Sequence, residues 1–143
     1  MSRQVSIDIT LVSKETRVNI IKRLISNGWT FSYYGEVSYL PIGDEDFDWC
    51  YERLNNKQTL KLLSEKEEAE ELIGVVLTWQ NTDVGGEILF NLDLSMSFVV
   101  SINRKTIGNC NSVTDMNWYL TKIIPFLESA NTKVECINFE EYI

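Results

Sequence analysis

Val5, Ile7, Ile9 and Leu11 alternate with Ser6, Asp8 and Thr10. A period of two puts one set on each face, which predicts a half-buried strand. The pattern then changes. Val18, Ile21 and Ile25 fall on one helical face, flanked by Ile20 and Leu24, with Arg17, Lys22 and Arg23 left to solvent. Ser13 is the expected cap, Glu15 lies in the first turn, and Asn27-Gly28 ends the helix. Residues 29–42 are aromatic and β-rich, and Gly35-Glu36 divides them into a hairpin or a bend. Asp44 to Arg53 reads as a loop leading into a short helix that Asn55-Asn56 terminates.

Lys57 to Glu71 is helical in pattern, as one helix or as two if Ser64 and Glu67 form a capping box. Leu72 to Trp79 is nearly continuously apolar, as a central strand buried on both faces would be. Gln80 to Gly86 reads as a turn, its glycines supplying positive φ for a hairpin. Glu87–Asp93 and Met96–Asn103 are two more strands, with Ile88, Phe90 and Leu92 sharing one face. Thr114 or Asp115 caps a last helix that Pro125 kinks or ends. A terminal strand carries Val134 and Cys136. Helices interleaved irregularly with runs of strands predict an α+β domain over 1–143. It has a mainly antiparallel twisted sheet and three to four helices.

Charge changes this picture most. Asp and Glu outnumber Lys and Arg 21 to 13, there is no histidine, and the net charge is −8. Such a surface repels nucleic acid and anionic membrane and attracts basic partners. Without histidine the commonest general base and metal ligand are gone, and neither a Ser-His-Asp nor a Cys-His arrangement can form. Gly85-Gly86 is too short for a phosphate loop, and Cys50, Cys110 and Cys136 are too scattered for a zinc site. The expectation is a binding protein with no cofactor and no metal, not an enzyme. Three widely spaced cysteines fit reduced thiols, Cys136 as a small buried hydrophobe. The first strand starts directly after Gln4, and no apolar run reaches the roughly 18 residues of a span, so a cytoplasmic protein is expected.

One segment concentrates candidate chemistry. Asp44 to Glu52 holds five acids and three aromatics in nine residues. Trp and Tyr are favoured interface anchors, and carboxylates pair with Arg and Lys across an interface. The same residues also suit a solvated loop with Phe47 and Tyr51 packed inward. Asp44, Asp46 and Asp48 alternate as in a calcium loop, but Trp49 and Asn55 stand where such a loop needs Gly and Glu. Glu65 to Glu71 is a second acidic run, read as a solvated helical face.

The stretch LTWQNTDVGGEILF (Leu77 to Phe90), following DEDFDW, resembles small acidic immunity proteins of bacterial contact-dependent growth inhibition and polymorphic toxin systems. The resemblance implies a cytoplasmic protein that binds and neutralises a cognate toxin domain. Such domains are often nucleases with a basic substrate surface, and carboxylates can take the place of phosphates there. The expected contact set is Asp44, Glu45, Asp46, Asp48, Trp49 and Tyr51. Two other classes stay open: an adaptor using a sheet edge or aromatic patch, and an enzyme with a pocket among Trp29, Tyr33 and Tyr39.

Overall fold

The first alternating segment forms β1 (Gln4–Ser13), and Val5, Ile7, Ile9 and Leu11 are all buried. The computed structural model describes residues 3–80, 82–109 and 112–143. Along the chain follow α1 (Arg17–Ser26), β2 (Trp29–Thr30), β3 (Ser32–Tyr33), β4 (Glu36–Tyr39), β5 (Cys50–Glu52) and α2 (Asn56–Glu68). Then come β6 (Ile73–Trp79), β7 (Gly85–Phe90), β8 (Ser95–Ile102), α3 (Met116–Leu127) and β9 (Thr132–Tyr142). The sheet runs β3-β4-β6-β7-β8-β1-β9, with β2 beside β6 and β5 beside β4. Every pairing is antiparallel, so the fold is α+β.

The three helices cover one face of this sheet. Ile20, Ile21 and Leu24 of α1, Leu63 of α2, and Tyr119, Ile123 and Leu127 of α3 form one core with Ile7, Val75, Ile88 and Phe98. The alternate positions, Ser6, Asp8, Glu87, Leu89, Ser97 and Val99, point away from that core. They make a mixed polar and apolar face, with Asp8 and Glu87 as its acids, that no helix among the described residues covers. Each fully buried apolar side chain contributes about 1.5–3 kcal/mol, so a one-residue slip in any strand is strongly disfavoured.

Several local expectations are corrected. Thr16 caps α1 by accepting from the Asn19 N–H, while Ser13 accepts from the Glu15 N–H one turn earlier. Arg17, expected at the surface, is 2% exposed. Its Nε donates to Glu67 at 2.5 Å and its Nη1 to the Phe90 carbonyl, tying α1 to α2 and β7. Glu67 is thus an ion-paired, partly buried residue within the second acidic run, and α2 is a single helix. Asn55 starts α2 in place of ending a helix, forming a capping box with Gln58. The short helix expected after Asp44 is the strand β5. Asp115 caps α3, and Pro125 falls in its last turn. Arg23 donates to the Phe126 and Leu127 carbonyls there, satisfying acceptors the helix end leaves open. Leu92 is exposed in the turn after β7, off the face of Ile88 and Phe90. Cys136 is exposed because it pairs with Thr10, on the uncovered side of an edge strand. Cys50 packs against the core, and Cys110 lies outside the described residues.

Candidate partner-binding face

The acidic segment leaves the sheet at Leu40, and its path is fixed from below. Lys66 of α2 is 1% exposed, and its ammonium donates to the Leu40 and Pro41 carbonyls at 2.9 and 3.0 Å. Burial pushes its pKa down, against the pull of Glu71 and Asp44. Glu71 also accepts from the Gly43 N–H at 2.8 Å. The second acidic run therefore supplies an anchor for the first. Asp44 adds an internal brace: its carboxylate accepts from the Phe47 and Asp48 N–H groups. Those bonds hold Phe47 at φ 57°, a left-handed conformation that costs an aromatic residue about 1–2 kcal/mol.

The expected contact set divides into three groups. Asp44 is half-buried and occupied with the loop's own backbone. Glu45, Asp46 and Asp48 are exposed at its tip. Trp49 and Tyr51 lie further on, where the chain returns as β5. Phe47 and Tyr51 do not pack inward; they are 56% and 64% exposed.

Trp49 and Tyr51 form a wall of a cleft of about 240 Å³. Tyr33, Ser38, Glu87 and Ser101 also line it. Antiparallel pairing explains the grouping. Ser38 faces Tyr51, and Val76 faces Glu87, so alternate residues of β5, β4, β6 and β7 meet on the face the helices leave open. The register between β7 and β8 shifts between Gly85 and Glu87. Gly85 and Gly86 are in that strand, not in the turn, where Gln80 takes the positive φ. A Cβ on Gly85 would lie 2.0 Å from the Leu77 carbonyl oxygen, and one on Gly86 2.0 Å from that of Val99. The glycines permit an approach that any side chain would block, and Glu87 follows directly. Burial pushes the Glu87 carboxyl above its usual range, and no hydrogen bond or ion pair holds it among the described residues.

Sequence reasoning missed Glu87 because the glycine pair looked like the end of a hairpin. The available signal was its place opposite Ile88 and Phe90 in the β7 alternation. Of the aromatics weighed as a small-molecule pocket, Trp29 and Tyr39 are buried in the core, and Tyr33 alone reaches the cleft. Glu52 and burial push the Tyr39 phenol up to about 12, burial being the larger cause.

No helix among the described residues is long and apolar enough to cross a membrane. No group of three metal-ligating side chains occurs among them either. The groups gathered here, exposed carboxylates, three rings and a partly buried carboxylate, are suited to holding cations. No protein-family model, curated protein or solved structure matches the chain.

Proposed function

We propose that the chain is an immunity protein that binds a basic, nuclease-type toxin domain and occludes its active site. The observation that carries this reading is the braced acidic loop. Glu45, Asp46 and Asp48 are exposed together, while Asp44, Lys66 and Glu71 hold the backbone beneath them. A loop already ordered loses little entropy on docking. Its carboxylates can occupy positions that substrate phosphates would take. The net charge of −8 steers a basic domain toward this surface before contact. Phe47, Trp49 and Tyr51 supply aromatic anchors beside the charges.

The reading is tested on any basic domain recovered by co-purification with the chain. Charge reversal at the tip, Asp46→Lys with Asp48→Lys, should slow association about tenfold or more at low salt. Dissociation should change less, and the circular dichroism spectrum should stay the same. Unchanged association in the double variant would remove the loop as the contact surface. A partner whose activity the chain leaves intact would favour an adaptor.

A further inference from the structure

The cleft beside β5 combines features that neither the loop nor the core needs. It has rings on its walls, Tyr33, Trp49 and Tyr51, and a carboxylate within, Glu87. It also has two hydroxyls, Ser38 and Ser101, and about 240 Å³ of space. We propose that this cleft receives one arginine side chain of the partner, its guanidinium stacked on the rings and its fork on the Glu87 carboxylate. This rests on the reading above for the source of the arginine.

The chemistry of the walls selects this occupant. An anion would meet the Glu87 charge. An apolar group would gain contact with the rings, Val76 and Ile102, but it would strip the Glu87 charge of its remaining water and leave it unpaired. A metal ion would find one carboxylate, and no group of three metal-ligating side chains exists among the described residues. A cation gains from both the rings and the carboxylate. Arginine is favoured over lysine because its plane stacks on aromatic faces, its fork matches a carboxylate, and it is less strongly hydrated. Glu87 is free to respond, having no partner of its own among the described residues. Its carboxyl sits above the usual range through burial alone, and a bound cation would reverse that shift. The loop acids bear on other groups of the toxin domain, so the cleft is an anchor for one residue within a wider interface.

The probe is N-acetyl-arginine amide, titrated into the whole chain and followed by NMR at the Trp49 indole N–H and the Glu87 carboxyl carbon. N-acetyl-citrulline amide is the neutral control, and N-acetyl-lysine amide tests the fork. Both signals should shift saturably with arginine, the lysine analogue should bind more weakly, and citrulline should leave them in place. Glu87→Gln should weaken arginine binding about tenfold or more, the worth of a charge-assisted hydrogen bond. Trp49→Leu should weaken it independently through loss of stacking. Absence of saturable shifts, equal binding of citrulline or lysine, or an unchanged affinity in both variants would overturn the proposal. The probe needs no toxin domain, so the two readings fail separately. Arginine binding without a toxin partner leaves the cleft standing, whereas toxin neutralisation without arginine binding removes only the cleft.

Discussion

Glu15 and Glu87 pull the pH dependence of stability in opposite directions. Arg23, Thr132 and Ser129 bond the Glu15 carboxylate and hold its pKa below the usual range. Its contribution is present above the unfolded carboxyl pKa and is lost as pH falls through the lower folded one. Glu87 is the reverse. Burial raises its pKa, so the folded state binds the extra proton, and stability falls as pH rises from the unfolded value through the folded one. Glu87→Gln should therefore raise the denaturation midpoint at pH 7 and narrow the variant's advantage at pH 4. A lower midpoint at pH 7 would mean that Glu87 has a stabilising partner. Gly86→Ala should destabilise by about 3 kcal/mol, because its methyl group would fall 2.0 Å from the Val99 carbonyl oxygen. Urea titration checks both. Neither glycine's role was legible in sequence, since a pair that ends a hairpin and a pair that admits a neighbouring strand are written alike.

At the scale of elements, burial of charge separates what the pattern predicted from what formed. The apolar stripe of α1 is readable as Val18, Ile21 and Ile25, flanked by Ile20 and Leu24, but chemistry alone assigns the buried Arg17 to solvent. It is buried because α2 brings Glu67 to it, a partner fifty positions away in sequence. One guanidinium nitrogen, Nη2, still finds no hydrogen-bond acceptor among the described residues. Glu67→Ala would leave the whole buried charge uncompensated and should cost about 3–5 kcal/mol. Replacing both partners with apolar residues, Arg17→Met with Glu67→Leu, should recover most of it. A cost below about 1 kcal/mol for the single variant would show the pair to be solvated. The strand β5 escaped the sequence reading for a different reason. Three residues are too few for a period, and its register is set by β4, not by its own composition. The start of α2 was misread because asparagine serves both ends of helices, and only Gln58 three residues on decides between them.

At the scale of the molecule, alternation was enough to predict an antiparallel sheet with helices. It could not give the strand order, in which β1 lies between β8 and β9 through pairings across most of the chain. The acidic loop was legible as a segment, whereas its bracing by Lys66 and Asp44 and the cleft behind it depend on tertiary contacts. The net charge belongs to this scale as well. If docking is steered by it, the association rate should fall steeply between low and moderate salt, with a much smaller change in dissociation. A rate indifferent to salt would place the driving force in apolar contacts. The most direct measurement is co-purification from the source cells at low and moderate salt, followed by co-expression of whatever basic domain is recovered. The account predicts a stoichiometric basic domain from a larger secreted protein, toxic alone and harmless when this chain is present. A domain that stays toxic beside the chain, or no partner from cells shown to express such a toxin, would contradict it.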